Sequence, residues 1–508
     1  MFENQPKGLF ALALANTGER FGYYTMIAVF SLFLRDNFGL SAGLAGTIYS
    51  SFLMLVYFFP LIGGMMADKF GFGKMVTIGI VIMFLGYLLL SVPLGGDTFA
   101  LIFMLAALLL IGFGTGLFKG NLQVMVGNLY DDPKYADKRD AGFSLFYMAI
   151  NIGALFAPTA AVRIKEYAET AWGYASNDAY HFAFAVACAS LVLSIAIYYA
   201  FRKTFRHTEG GKNAKAQTAQ PVEELTKEET KQRIVALCLV FAVVIFFWMA
   251  FHQNGLSLTY FANEFTAQSS AGIESMAFNV WNLVALIVMV YGLFGYFQSK
   301  TSKNKLYTAL AVALAAGFLG WQYSELEGSI AISAPIFQQF NPFYVVALTP
   351  VSMAIFGGLA KNGKEPSAPR KIAYGMLIAA AAYCVMAFAS VGLPMPQTEV
   401  VDGELVAKHV ADVTPNLLIG VYLILTFAEL LLSPMGISFV SKVAPPKYKG
   451  MMMGGWFVAT AIGNQLVMVG GLLWGAVPMW AVWSVFIGVC LVAAIFMFAM
   501  MKRLEKVC

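Results

Sequence analysis

Apolar stretches of about 20 residues, separated by short polar segments, recur along the whole chain. That is the length a helix needs to cross the hydrocarbon core of a bilayer. The pattern predicts fourteen transmembrane helices, and the first run is too long for a cleaved signal peptide. The predicted spans lie near residues 9–34, 44–66, 75–95, 99–124, 142–163, 181–201, 233–262, 274–298, 305–324, 336–358, 371–394, 416–441, 451–475 and 478–501.

One longer polar stretch, residues 202–232, separates the first six predicted spans from the last eight. Its glycines, proline and glutamates are typical of a linker outside the membrane. We therefore predict an N-terminal six-helix bundle over residues 1–201, a linker over 202–232 and a C-terminal bundle over 233–508. An even number of spans places both termini on one side of the membrane.

The distribution of Lys and Arg indicates which side that is. The net charge of +5 says little alone, but 27 of the 33 Lys and Arg residues fall in segments that the topology places on one side. Cytoplasmic loops carry such an excess. We therefore predict a multi-pass protein of the inner (plasma) membrane, with the linker and both termini in the cytoplasm. The basic segments are 1–8, 67–74, 126–141, 201–233, 299–305, 359–371, 442–449 and 502–508.

The composition excludes several classes of protein. Hydrophobic residues make up 59% of the chain and charged residues only 12%, with a mean hydropathy of +0.71. Soluble proteins carry about 25% charged residues, so a soluble enzyme, a disordered chain and a nucleic-acid-binding protein are excluded. The five cysteines show no metal-ligand spacing, and we expect no disulfide, metal or cofactor. A chain of this composition is expected to reside in a lipid bilayer.

Ionisable residues inside a span are costly, at about 2.5–3.5 kcal/mol or more near the bilayer centre, and therefore indicate function. In the first span, Asn16, Glu19, Arg20 and Tyr23 share one helical face. Adjacent residues on a helix point about 100° apart. We therefore expect Glu19 and Arg20 to find separate partners, and we predict that this face lines a cavity.

Three further candidates lie in later spans. Lys119 is near the inner end of the fourth span. The alternative to a functional role is that its side chain simply extends to the membrane interface. Glu429 is deep in its span, and His252 is the one histidine placed deep in a span, one turn from Trp248. Weaker polar or aromatic marks are Tyr57, Tyr147 with Asn151, Asn341 before a proline, and Trp456, Thr460 and Asn464 on one face.

Taken together, these residues resemble the proton-coupled oligopeptide transporter family of the major facilitator superfamily. The first span, Asn16-Thr-Gly-Glu-Arg-Phe-Gly-Tyr-Tyr-Thr-Met26, is similar to the family's ExxERFxYYGM motif. Five other segments match family motifs in the right order: Gly63–Gly71, Lys119–Asn121, Phe146–Gly153, Gln339–Pro342 and Glu429–Pro434.

The resemblance implies an all-α membrane protein with the major facilitator fold, two six-helix bundles that alternate in exposing one site. Two of the fourteen helices are then extra, and their position is about residues 274–324. The implied function is import of di- and tripeptides by proton symport. The partners are small peptides and protons, and we expect a monomer without enzymatic activity.

The resemblance also assigns roles to residues. Lys119 and Glu429 would alternate between pairing and binding substrate, with Asn151 and Asn341 helping Glu429 to hold a peptide's amino terminus. Arg20 and Lys119 would attract its carboxylate. The implied substrate-binding wall comprises Tyr23, Tyr24, Tyr57, Trp248, Trp456 and Thr460. The implied proton-coupling residues are Glu19, Arg20, Lys119, His252 and Glu429.

Three positions depart from the family pattern. Asn16 replaces the first glutamate of the ExxER motif, Ile27 replaces an arginine, and His252 replaces a glutamate. In the family the last two form an ion pair that closes the extracellular side. Their joint loss leaves no stranded buried charge, which is physically coherent.

Two other functions stay open at this point. One is transport of another small zwitterion or anion with altered or absent proton coupling, which the three departures favour. The other is a proton-channel subunit of a membrane redox complex. Such a subunit needs a chain of buried Lys, Glu and His residues across the membrane, and several of the predicted spans lack them.

Overall fold

The computed structural model describes residues 5–210, 225–401, 404–445 and 448–507. Long helices account for most of it. In chain order they are α1 (Lys7–Phe38), α2 (Ala42–Phe70), α3 (Phe72–Leu90), α4 (Thr98–Asn128), α5 (Arg139–Thr170), α6 (Ser176–Ala200), α7 (Lys227–Phe251), α8 (Ser257–Glu264), α9 (Val280–Gln298), α10 (Ser302–Ser324), α11 (Phe340–Lys361), α12 (Ala368–Ala389), α13 (Pro415–Val443), α14 (Lys449–Leu466), α15 (Met468–Leu473) and α16 (Met479–Glu505).

Four short strands lie between helices: β1 (Ser269–Ala271), β2 (Ser329–Ala331), β3 (Gln397–Val401) and β4 (Glu404–Lys408). They form two antiparallel pairs, β1 with β2 and β3 with β4. The first pair joins the outer ends of the segment that contains α9 and α10. The second is a hairpin in the connection between α12 and α13.

Thirteen helical segments within the described residues are long and apolar enough to cross a membrane. The remaining predicted span is α1, which has 32 residues but whose apolar character is diluted by Asn16, Glu19 and Arg20. Its length of about 48 Å, at 1.5 Å per residue, is ample for a bilayer. The seventh span is α7 and α8 together, interrupted by a 3-10 turn at His252–Gly255.

The first six helices pack mainly on each other, with α1 against α5 and α6, and α4 against α2 and α3. Close approach is possible where glycines face each other. A Cβ added at Gly79 would lie 2.7 Å from the Gly114 carbonyl oxygen, and one at Gly114 would lie 2.6 Å from that of Gly79. Small residues of this kind allow helix backbones to meet in membranes. The predicted boundary at 202–232 stays a prediction, and residues 211–224 lie outside the described part.

The later helices form a second group, in which α12 packs against α13 and α16, and α7 against α14 and α16. Contacts between the two groups join α2 to α14 and α15, α5 to α11, and α1 to α8 and β4. Gly46 meets Gly471 here, and the Thr159 hydroxyl bonds the Gln339 side chain at 3.0 Å. The side-chain hydrogen bonds of Gln339 with Thr159 and of Gln465 with Ser51 lie in the halves of the helices that are predicted to face outward.

The extra pair, α9 and α10, lies at the periphery. The two helices pack on each other, and α9 also contacts α11 and α5. Ala315 is the one buried residue of α10. The predicted segment began at residue 274, whereas α9 begins at Val280 because Gly272–Phe278 forms a 3-10 turn. The exposed apolar surface of α10 suits contact with lipid.

Candidate functional site

The charges of Glu19 and Arg20 are paired with each other. The Arg20 Nε and Nη2 atoms each donate to the Glu19 carboxylate at 2.5 Å, and the two side chains are 3% and 1% exposed. The expectation of separate partners was wrong. Both side chains are long enough to bend together, and pairing in place offsets the cost of burying either charge alone. Arg20 also lies 4.5 Å from the centre of the Tyr23 ring.

Lys119 faces an aromatic ring. Its Nζ lies 4.0 Å from the centre of the Tyr57 ring, within the range of a cation–π contact. Within the described part of the chain its ammonium makes no ion pair. Arg20 and Glu19 are the nearby charges that act on it. Lys119 therefore points from α4 toward α2 and carries a charge without an acidic partner.

Glu429 is held by an amide. Its Oε2 accepts a hydrogen bond from Asn341 Nδ2 at 2.8 Å, and the same nitrogen lies 3.1 Å from Thr426 Oγ1. The Glu429 side chain is largely buried. It makes no contact with Lys119 in this conformation, so the two groups that the resemblance pairs are apart here.

Tyr147 on α5 lies near Glu429, and the sequence analysis named it with Asn151 as a weaker candidate without a role. It is 44% exposed, yet its hydroxyl lies within electrostatic range of Glu429, Tyr24 and Tyr57. Asn151, one turn further, donates to the Tyr147 carbonyl at 3.0 Å. The shared face of these two residues was the signal by which the sequence analysis named Tyr147, and its part in the site stays a prediction.

His252 lies in the 3-10 turn that interrupts the seventh span. Its Nδ1 is 2.5 Å from Asn464 Oδ1, and its ring stacks on Trp248 with centroids 4.9 Å apart. The Asn464 Nδ2 donates to the Leu53 carbonyl at 3.4 Å, which orients the amide. With an acceptor at Nδ1, the neutral imidazole presents the Nε2 lone pair. The Tyr57 ring is next to it, at 6.4 Å.

Trp248 has a buried polar atom without a partner in the described part of the chain. Its side chain is 8% exposed, and its Nε1 has no hydrogen-bond partner among the described residues. A buried donor without a partner is rare in native structures. The atom is closed to solvent in this conformation, so a bound molecule or water could accept from it only after neighbouring side chains move.

Two predicted binding residues, Trp456 and Thr460, lie on α14 and make contacts with their own half of the protein. A Cβ at Gly436 would lie 1.9 Å from the Trp456 ring, so Trp456 packs tightly against the α13 backbone. The Thr460 hydroxyl donates to the Trp456 carbonyl at 3.0 Å, within α14. The Trp456 ring therefore packs on α13 and the Thr460 hydroxyl bonds within α14, and their assignment to substrate binding stays a prediction.

A second buried ion pair lies at the outer end and was not anticipated. Arg35, at the end of α1, bonds the Glu264 carboxylate at the end of α8. Trp474 Nε1 also donates to both oxygens of that carboxylate, at 3.2 and 3.1 Å. The sequence placed Arg35 outside the membrane and gave Glu264 no role. Their only sequence signal was their position at the ends of two spans.

Comparison with known proteins gives the following relations. Two stretches, residues 73–223 and 321–471, match the sequence profile of the POT family. Dipeptide and tripeptide permease A of Salmonella typhi is 26% identical over 486 residues, covering 92% of this chain and 83% of that protein.

Two solved structures share the fold. The peptide transporter POT in complex with sulfate gives a TM-score of 0.73 at 24% identity, covering 100% of this chain and 96% of that one. A POT family transporter in complex with 5-aminolevulinic acid gives a TM-score of 0.73 at 20% identity, covering 100% and 98%. The predicted all-α transporter fold is confirmed.

The two stretches that match the family profile make up more than half of the chain. The first contains Lys119 and Asn151, and the second contains Asn341 and Glu429. Most of the extra pair, α9 and α10, falls between them. The resemblance indicated by the motifs is thereby confirmed: this chain belongs to the POT family.

Proposed function

We propose that this protein is a secondary active transporter that imports di- and tripeptides with protons, by alternating access in the inner membrane. A free peptide carries an ammonium at one end and a carboxylate at the other. The cavity offers the complementary charges on different halves, with Lys119 on α4 and Glu429 on α13. The peptide permease among the relatives supports this substrate class.

The observation that carries the proposal is that Lys119 has no acidic partner among the described residues. Each buried Arg or Lys of the described chain has an acidic partner: Arg20 has Glu19, Arg35 has Glu264 and Lys371 has Glu365. Lys119 rests on the Tyr57 ring instead. A cation without a counter-charge in a membrane cavity is energetically costly unless a ligand or water interacts with it. A peptide carboxylate would do so.

Arg20 has a different part in this proposal from the one that the resemblance implied. Its guanidinium donates to Glu19 through two nitrogens, so its charge is already neutralised. It would shape the cavity through Tyr23 rather than attract the carboxylate. Glu429, with Asn341 at 2.8 Å, would hold the peptide's amino terminus.

For proton coupling we propose Glu429 as the main carrier, with His252 and Glu19 as secondary candidates. Glu429 accepts from one amide and forms no ion pair with a described residue, so its protonation breaks none of the ion pairs seen there. Protonation of Glu19 would release Arg20. Protonation of His252 would place a second positive charge near Lys119.

The conformation supports alternating access. Hydrogen bonds that join the halves, such as Thr159 with Gln339 and Gln465 with Ser51, lie in the predicted outer halves of the helices, while Tyr147 is partly exposed near Glu429. We infer that the outer side is closed and that the site opens to the cytoplasm. A monomer with cytoplasmic termini fits this arrangement and stays a prediction.

The test is uptake of labelled dipeptide into proteoliposomes, with and without an inward proton gradient. Wild-type protein should accumulate dipeptide only with the gradient. The variant Lys119→Ala should lose uptake, while Lys303→Ala, an exposed lysine of α10, serves as the control. Wild-type uptake by Lys119→Ala would refute the role of Lys119.

A second candidate function is transport of another small zwitterion or anion with altered coupling. The observation that favours it is the group of His252, Asn464 and the unpartnered Trp248 Nε1, at the position where the family has a glutamate. Counterflow against a panel of dipeptides, amino acids and small carboxylates would separate the two. Exchange by non-peptides alone would favour the second candidate.

A further inference from the structure

We propose that Arg35, Glu264 and Trp474 form a latch that holds the outer side closed, displaced outward from the ion pair that this chain lacks. Its part in a transport cycle rests on the proposed function. The three residues are called the outer latch below. They come from α1, from α8 and from the turn after α15, three elements that are distant in the chain.

The latch is a buried group in which the two charges pair with each other. The Arg35 and Glu264 side chains are 8% and 0% exposed, and the Arg35 guanidinium lies 4.6 Å from the Tyr260 ring centre. Both Glu264 oxygens accept from Trp474 Nε1, at 3.2 and 3.1 Å. Each charge is kept out of water only because the other is present. Separating them therefore requires water to enter.

The latch also crosses between the two halves. Arg35 belongs to α1 in the first group of helices, while Glu264 and Trp474 belong to the second. Outward opening moves α1 away from α8, so the Arg35–Glu264 bond has to break in that step. The Glu19–Arg20 pair is different, since both residues lie on α1 and move together.

A segment on the outer side contacts both α1 and the end of α8, next to the latch. The segment 404–413, which we call the strap, contains β4, and β4 packs against α1. Further along the strap, the Val410 N–H donates to the Glu264 carbonyl and the Val413 N–H to the Phe265 carbonyl, both at 2.8 Å. The strap thus contacts α1 and the end of α8 simultaneously, directly beside the latch.

Ile27 and His252, which lie deeper than the latch, cannot hold the two halves together by charge. Ile27 is a buried apolar residue, and His252 is bonded to Asn464 within the second group of helices. Neither supplies a charge that could join the halves. Arg35 lies two turns beyond Ile27, about 12 Å further out along α1. The electrostatic closing contact of this chain is therefore at the outer rim of the cavity.

The test measures access from outside, which requires no substrate. A single cysteine is placed as Ile27→Cys in a chain whose native cysteines are replaced, and a membrane-impermeant maleimide is added to the outer face. We expect slow labelling in the parent, because Ile27 lies below the latch and is 6% exposed. Adding Glu264→Gln should raise the labelling rate about tenfold or more, by shifting the population toward outward-open states.

The matched control is Glu166→Gln. Glu166 is also predicted to lie on the outer side, and it pairs at 3.5 Å with Arg163, whose side chain is exposed. This variant should leave labelling unchanged. If Glu264→Gln does not reach the membrane, the double variant Arg35→Gln/Glu264→Gln decides, because it leaves no unpaired buried charge. Labelling at the parent rate in the variant that folds would overturn the latch. If the parent protein takes up no dipeptide but Glu264→Gln still accelerates labelling, the latch stands and only the proposed substrate is overturned.

Discussion

The inner cavity and the outer latch both contain buried charges, but they satisfy them differently. In the latch, Arg35 and Glu264 bond each other and Trp474 completes the carboxylate. In the cavity, Lys119 rests on an aromatic ring and Glu429 accepts from one amide. One region has its partners within the protein, whereas the other leaves bonding capacity for something else.

This difference teaches how a transporter can use the same residue types for opposite purposes. Charges that bond each other across an interface stabilise one conformation. Charges that lack a full set of partners favour a ligand or a proton. The five predictions that follow test this contrast, beginning with the largest expected effect.

The first concerns the unpartnered cation. Lys119→Met should lower gradient-driven dipeptide uptake by about a hundredfold, since loss of a charged hydrogen bond to the carboxylate is worth about 1.5–3 kcal/mol and the coupling is lost with it. Thermal stability should not fall, because an uncompensated ammonium is removed from the cavity. A large drop in melting temperature, measured in detergent, would show that Lys119 is structural like Arg35.

The second concerns Glu429. Glu429→Gln keeps an acceptor for Asn341 Nδ2 but removes the titratable group. We expect loss of accumulation, about fiftyfold at 100 mV if one proton is coupled, with counterflow exchange retained. The measurement is counterflow beside gradient-driven uptake in the same vesicles. Full accumulation by Glu429→Gln would exclude it as the proton carrier.

The third tests the latch as a stabilising contact. Arg35→Leu leaves the Glu264 carboxylate buried with Trp474 alone, and breaking one side of a buried pair costs about 3–5 kcal/mol. Melting temperature should fall clearly. The double variant Arg35→Leu/Glu264→Leu should recover much of the loss. Equal destabilisation by the single and double variants would indicate that the pair itself is not the source of stability.

The fourth concerns His252. If His252 takes part in coupling, His252→Gln should change the pH dependence of uptake, because the imidazole is the group that would gain and lose the proton. Glu19→Gln is the comparison, since it should weaken the Arg20 pair instead. An unchanged profile in His252→Gln, with coupling lost in Glu19→Gln, would leave His252 as a neutral cavity residue.

The smallest effect is expected from removing the extra pair. Ala271 and Ser329 are register partners at the end of the β1–β2 ladder, so residues 272–328 can be replaced by a two-residue Asn-Gly turn. Substrate binding should be retained at some cost in stability, because α9 packs on α11 and α5. Loss of binding in a folded deletion would show that the pair supports the site.

Several features could be read from the sequence because their signals are local. The length of each apolar run predicts a span, and the Lys and Arg content of each loop predicts its side. The candidates Lys119, Glu429 and His252 were identifiable because an ionisable residue in an apolar run is conspicuous by itself. The family motifs extended this to Asn151 and Asn341.

The tertiary structure alone decided which groups bond each other. Glu19 and Arg20 pair although their helical positions suggested otherwise, and His252 meets a residue more than two hundred positions away. Arg35, Glu264 and Trp474 come from three separate elements. A hydrogen bond depends on atoms approaching within about 3 Å. Helix packing sets that distance, and hydrophobic patterning predicts only that the helices exist.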